Sequence, residues 1–132
     1  MYPFVLVNIG SGVSILQIIG PSKYKRVAGT MIGGGTLLGL ARLLIGVSDF
    51  DSIVELSKKG SMENVDLLIK DIYHNTEDEQ GDLPASSFGK VCGTEAPARK
   101  EDIARSLIAM IVHNIAQMSV LVAKRVEVER YL

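Results

Sequence analysis

At Gly33-Gly34-Gly35 the sequence changes its period, and that change limits what the chain can build. Before the triplet, short β-branched runs are separated by turn residues. After it, residues 36–45 (Thr-Leu-Leu-Gly-Leu-Ala-Arg-Leu-Leu-Ile) are apolar almost all round. Short runs bounded by turns suit strands, and an apolar cylinder suits a helix buried on most sides. Residues without Cβ at the junction let the backbone approach a neighbour, or a ligand, closely.

The first part reads as three strands. Residues 4–9 end at Gly10, and Gly10, Ser11 and Gly12 turn the chain. Residues 13–19 end at Gly20-Pro21, a strong turn signal. Residues 24–30 return, with Tyr24, Arg26 and Ala28 expected on one face. Connections this short favour hairpins, so a three-stranded antiparallel meander is expected over residues 1–32.

Helices are expected over 33–73. Gly46 stops the first, Asp49 caps a second over 50–59, and Ser61 caps a third over 62–72 with Val65, Leu68, Ile69 and Ile72 on one side. Periodicity vanishes over 74–98, where an acidic stretch up to Asp82 is expected to be disordered and order to resume near Ser86. A long helix is expected over 99–125, carrying Ile103, Leu107, Ile111, Ile115 and Val122 at helical spacing. Residues 126–132 read as the start of a further strand, which implies a longer protein. The fold class is α+β: a meander, a helical region and one long C-terminal helix, in a single domain of 132 residues.

Composition excludes several functions. A formal net charge of −1 without a basic stripe argues against a nucleic-acid binder. The single cysteine, Cys92, precludes an internal disulfide and reads as a quiet buried thiol in a reducing compartment. His74 and His113 share no metal-type spacing with it, so no metal site is expected. No signal peptide is visible, and the longest apolar run is interrupted by Arg105, His113, Asn114 and Gln117, which reads as a soluble core helix rather than a membrane span.

A glycine turn at a helix N-terminus offers N–H groups and the positive end of a dipole, so Gly33, Gly34, Gly35 and Thr36 are candidates for phosphate; tight strand-to-helix packing is the equal alternative. The phosphate-loop motif is absent because Leu37 follows Thr36, and the dinucleotide fingerprint fails at Ile15. Ser11 and Ser14 could hold polar ligand groups, though serine is also an ordinary turn residue. Arg26, between strand neighbours, offers a fork of donors for a carboxylate or phosphate, or is simply a surface arginine.

Taken together, Asn8-Ile9-Gly10-Ser11-Gly12-Val13-Ser14, Tyr24-Lys25-Arg26-Val27, and Gly29-Thr30 leading to Gly33-Gly34-Gly35-Thr36 resemble the matching run of eukaryotic-type (type II) pantothenate kinases. The likeness continues through Ser57-Lys58-Lys59-Gly60, Asp71-Ile72-Tyr73, Ala85-Ser86-Ser87-Phe88-Gly89 and Lys100-Glu101-Asp102-Ile103-Ala104-Arg105, in order over nearly the whole chain. The resemblance implies part of the C-terminal lobe of an actin-like ATPase and sugar-kinase (ribonuclease H-like) fold. It implies phosphorylation of pantothenate by ATP with Mg²⁺, the first step of coenzyme A synthesis, and inhibition by acetyl-CoA or CoA. Ser11, Ser14, Arg26 and Ala85 would contact pantothenate or the inhibitor, and Gly33, Gly34, Gly35 and Thr36 the ATP phosphates.

It also implies a homodimer, and the expected compartment is the cytoplasm, with a mitochondrial or nuclear isoform left open. Departures from the family pattern are the direct lead-in Gly81-Asp82-Leu83-Pro84 and Arg99 where a helix-capping serine is usual. The general base and the first phosphate loop of the family have no counterpart here, so this chain alone is expected to be inactive. Two other readings stay open: a non-catalytic acyl-CoA-binding or assembly module, and another sugar- or acetate-kinase-like enzyme.

Overall fold

The computed structural model describes residues 1–74 and 79–131, with the side chains of 79 and 128–131 left aside. Three strands, β1 (Phe4–Ile9), β2 (Val13–Gly20) and β3 (Lys23–Thr30), form an antiparallel sheet in the order β1-β2-β3. Then come α1 (Gly34–Ile45), α2 (Phe50–Ser57), β4 (Leu67–Leu68), α3 (Ile69–Ile72), β5 (Pro84–Ser86) and α4 (Lys100–Tyr131). The class is α+β, with the meander first and a long helix last, as the sequence leads one to expect.

The chain divides into two compact units. The first is Met1–Gly39 with Ile111–Leu132, and the second is Leu40–Met110.

In the first unit, β1 faces β2 residue for residue, from Phe4 opposite Ile18 to Ile9 opposite Val13. The β2–β3 register slips between Ile15 and Leu16: Ile15 faces Ala28, but Leu16 faces Arg26, which leaves Val27 as a bulge. Cross-strand partners share a face, so Ser14, Leu16, Arg26 and Gly29 lie on one side and Ile15 and Ala28 on the other. The expected grouping of Ala28 with Tyr24 and Arg26 is therefore corrected. A bulge shifts the parity of everything beyond it, and nothing in the local alternation announces one. Val13 and Ile15 are buried, while Tyr24 and Arg26 are exposed.

In the second unit, Gly46 ends α1 in the left-handed conformation (φ 70°), where glycine has no steric penalty. Asp49 caps α2: its Oδ1 accepts the Ser52 N–H at 2.9 Å, and those donors hold the carboxyl below its ordinary range. The helix expected over 62–72 is not one helix. A 3₁₀ turn (Met62–Asn64), the two-residue β4 and the short α3 take its place. Ser61 does not cap it by its side chain; its N–H instead donates to Asp102 Oδ1 at 2.8 Å. Asp66, between these short elements, turns inward to receive Phe88 N–H and Ser106 O–H, partners far along the chain that local periodicity does not reveal.

Glu79–Asp82 forms a further 3₁₀ turn, with Asp82 paired to Lys70 at 2.7 Å, so the expected disorder does not hold there; residues 75–78 lie outside the described residues. Cys92 is exposed rather than buried.

α4 continues as helix to Tyr131, so the strand expected from Val126 does not form; Leu132 lies outside the described residues. No glycine or proline interrupts it, and Val126 is buried, continuing the face of Ile111 and Ile115. The helical frame outweighs the alternation of Val-Glu-Val-Glu. Lys100–Glu127 is long and apolar enough to cross a membrane by length and composition. Its Asp102 and Ser106, near the N-terminal end, are buried and hydrogen-bonded inside the second unit.

Candidate functional site

The first unit gathers most of the candidate ligand-binding residues. Ser11 stands exposed at the tip of the β1–β2 turn, which is tightened by Gly10 N–H donating to the Gly12 carbonyl at 2.8 Å. Ser14 follows on β2, half-buried, opposite Asn8 on β1 and Gly29 on β3.

Arg26 reaches this group because of the bulge. Its Nε donates to Ser14 Oγ at 3.4 Å, a long and weak bond. The guanidinium rests over Gly29: a Cβ there would lie 2.1 Å from Nη2 and 2.7 Å from the Val13 carbonyl oxygen. Gly29 thus acts as a seat for the arginine. Sequence reasoning did not single it out, although a glycine inside a strand is itself a sign of close approach. No carboxylate pairs with Arg26 among the described residues, so its fork of donors is open to an anionic ligand. With its Oγ accepting from Arg26, Ser14 retains its own O–H to donate.

The glycine triplet packs on the same turn. Cβ atoms at Gly33, Gly34 and Gly35 would come within 2.7, 2.9 and 3.2 Å of the carbonyls of Ser11, Gly10 and Ser11. Gly34 N–H donates to the Gly10 carbonyl at 2.9 Å, and Gly35 N–H to the Ser11 carbonyl at 3.1 Å. Gly33 N–H donates to Thr36 Oγ1 at 3.0 Å, and that hydroxyl donates in turn to the Met31 carbonyl at 3.1 Å. Gly33 and Gly34 are therefore required for the helix start to sit against the turn, and Gly35 is tightly placed there. Their amides are engaged within the chain, and what α1 still directs outward is the positive end of its dipole.

Ala85 belongs to the second unit, exposed on β5, whose residues pair with β4 (Leu67 with Ser86, Leu68 with Pro84). Beyond it Phe88 adopts a left-handed backbone, φ 60° and ψ 6°. Among the described residues no three His, Cys, Asp or Glu side chains converge as a metal site would require.

Residues 1–132 match the family model described as Fumble. The chain is 45% identical over 137 aligned positions to pantothenate kinase 1 of Arabidopsis thaliana, which covers 98% of this chain and 36% of that protein. It is 44% identical to the pantothenate kinase of Schizosaccharomyces pombe, covering 97% of this chain and 34% of that protein. It is 43% identical to a 4'-phosphopantetheine phosphatase of Mus musculus, covering 94% of this chain and 16% of that protein. The chain thus spans about a third or less of these curated relatives.

Proposed function

The chain belongs to the Fumble family, and from that premise we propose that it is the substrate-binding part of a pantothenate kinase, which transfers the terminal phosphoryl group of ATP to the 4′-hydroxyl of pantothenate. The observation that carries this reading is Arg26, seated over Gly29 beside Ser14 on the sheet face, with no acid paired to it among the described residues. Pantothenate presents a carboxylate, hydroxyls and an amide. A guanidinium fork suits the carboxylate, and the hydroxyls of Ser11 and Ser14 suit the polar groups beside it. Ala85, in the second unit, would offer a small surface to pantothenate or to the pantetheine arm of acetyl-CoA, the proposed feedback inhibitor. The fold would be part of an actin-like ATPase lobe.

Gly33, Gly34, Gly35 and Thr36 would face the ATP phosphates. Since the three glycine amides already bond within the chain, the attraction would come from the α1 dipole and not from a nest of free N–H groups. Mg²⁺ would accompany ATP. The described residues do not themselves form a site for it, and no step is assigned to the metal. Phosphoryl transfer requires charge stabilisation on both sides of the reacting groups, so the general base and a second phosphate loop would come from elsewhere in the full-length protein. Dimerisation would use α4, whose Val112, Val120 and Leu121 are more than half exposed. The proposed compartment is the cytoplasm.

The test is ATP-dependent phosphorylation of pantothenate by the full-length protein, compared with its Arg26→Ala variant and with a panel of sugars. A tenfold or greater rise in the pantothenate KM is expected for Arg26→Ala, whereas an unchanged KM would refute the assignment. A second reading draws on the mouse relative named as a phosphatase: the same region occurs in a protein named for a different reaction. Absence of turnover by the full-length protein, with retained acetyl-CoA binding, would favour a non-catalytic binding module.

A further inference from the structure

Asp66 is 1% exposed, and its carboxylate is the hub of the second unit's polar interior. Oδ1 accepts Phe88 N–H at 2.9 Å and the hydroxyl of Ser106 on α4, whereas Oδ2 has no hydrogen-bond partner among the described residues. An ionisable group kept in the interior with one oxygen unbonded is unfavourable in itself, so its presence calls for a reason. The neighbouring Asp102 provides a contrast: its two oxygens receive Ser61 N–H at 2.8 Å and Asn64 Nδ2 at 3.1 Å.

What Asp66 holds is unusual. Among the described residues Phe88 is the only non-glycine with positive φ, a conformation that L side chains disfavour. Such strain persists where surrounding contacts over-determine it, and it concentrates at functional sites. Here the contacts are plain. Residues 84–86 pair with β4, Lys90 N–H donates to the Val65 carbonyl at 3.1 Å, and Lys90 Nζ reaches the Glu63 carbonyl at 2.5 Å. Gly89 completes the turn, since a Cβ there would lie 2.6 Å from Ser86 Oγ. Asp66 alone grips the strained residue by its own amide.

We propose that Asp66 is a positioning residue for ligand binding: anchored through Ser106 to α4, it fixes Phe88 in the left-handed conformation and so sets how Ala85, Ser86 and Ser87 are presented. The proposal rests on the reading that Ala85 contacts pantothenate or the pantetheine arm.

Four variants of the full-length protein test it by steady-state kinetics with pantothenate, with amide hydrogen exchange read at Phe88. Asp66→Ala is expected to raise KM about tenfold with kcat within threefold, and to speed exchange at Phe88. Asp66→Asn keeps an acceptor oxygen for that amide and should stay within threefold of the parent KM. Glycine enters the left-handed region freely, so Asp66→Ala combined with Phe88→Gly should recover most of the affinity, a rescue that mere loss of stability would not give. Ala85→Trp checks the underlying reading and should raise KM at least tenfold.

A silent Ala85→Trp overturns the proposal at its premise. An effective Ala85→Trp beside a folded but silent Asp66→Ala overturns the role of Asp66 itself. Should Asp66→Ala not fold, Ser106→Ala takes its place. There a three- to fivefold rise in KM with faster Phe88 exchange supports the proposal, and no change in either overturns it.

Discussion

Substituting Gly29 by alanine separates the seat of Arg26 from the arginine itself. Gly29 does not lie in the left-handed region, so the effect is one of space rather than backbone strain. The new methyl carbon would sit 2.1 Å from Arg26 Nη2, where real contacts stay beyond 3.0 Å. The guanidinium must therefore retreat by roughly 1 Å, the difference of those two distances. Its bond to Ser14 is already 3.4 Å long and will not survive the displacement. The same methyl lies 2.7 Å from the Val13 carbonyl, which cannot swing aside, so β3 shifts as well and the fold loses about 1–3 kcal/mol from overpacking.

A hydrogen bond from a charged donor contributes about 1.5–3 kcal/mol, so the predicted loss in pantothenate affinity is about 10- to 150-fold. Calorimetric titration of the full-length protein, of Gly29→Ala, of Arg26→Ala and of the double variant closes a cycle. If Gly29 acts through Arg26, adding Gly29→Ala to Arg26→Ala changes affinity by less than twofold. Equal losses in the two backgrounds, or parent-like binding by folded Gly29→Ala, would refute the reasoning.

Further outcomes are expected. Gly60→Ala would place a Cβ 2.0 Å from the Glu101 carbonyl oxygen and 2.4 Å from its carbon; backbone cannot yield cheaply, so chemical denaturation should show a loss of about 3 kcal/mol. Leu107, 1% exposed, should lose about 2–5 kcal/mol on Leu107→Ala in the same measurement. The Asp71 carboxyl is held below its ordinary 3.8, first by the Leu68 N–H and then by Lys90. A depressed folded value stabilises above the unfolded one, so this contribution is full above pH 3.8 and fades as the pH falls through the lower folded value. Asp71→Asn should therefore flatten the fall of Tm between pH 5 and pH 2, and an unaltered slope would count against it. The 132-residue chain alone should release no ADP in a coupled assay with pantothenate and ATP; clear turnover would contradict the division of the site.

Much of the architecture was legible because local chemistry specifies it. The turns at Gly10 and Gly12 and at Gly20-Pro21 delimit three strands, and Gly46 and Asp49 punctuate the first two helices. Legibility failed where distant partners decide. Residues 62–72 carry apolar residues at near-helical spacing, yet they form three short elements around Asp66, which bonds to residues 22 and 40 positions away. Val126 alternates with glutamate as in a strand, but the frame of a helix already many turns long carries it through. In the site, the residue types of Ser11, Ser14, Arg26 and the triplet stood out in the sequence. That Arg26 shares a face with Ser14 depends on the Val27 bulge, which the alternation of the strand does not announce.

The packing of the triplet onto the turn has a mechanical consequence. Gly33, Gly34 and Gly35 press on Gly10, Ser11 and Gly12 through backbone alone, with two main-chain hydrogen bonds as rivets. Side chains can rotate away from a load, but backbone in contact with backbone transmits it. Any pull on Ser11 is therefore felt at the first turn of α1, as though the two were one casting. A ligand seated at one end of this block and a ligand approaching the other would each sense the presence of the other without any loop having to close.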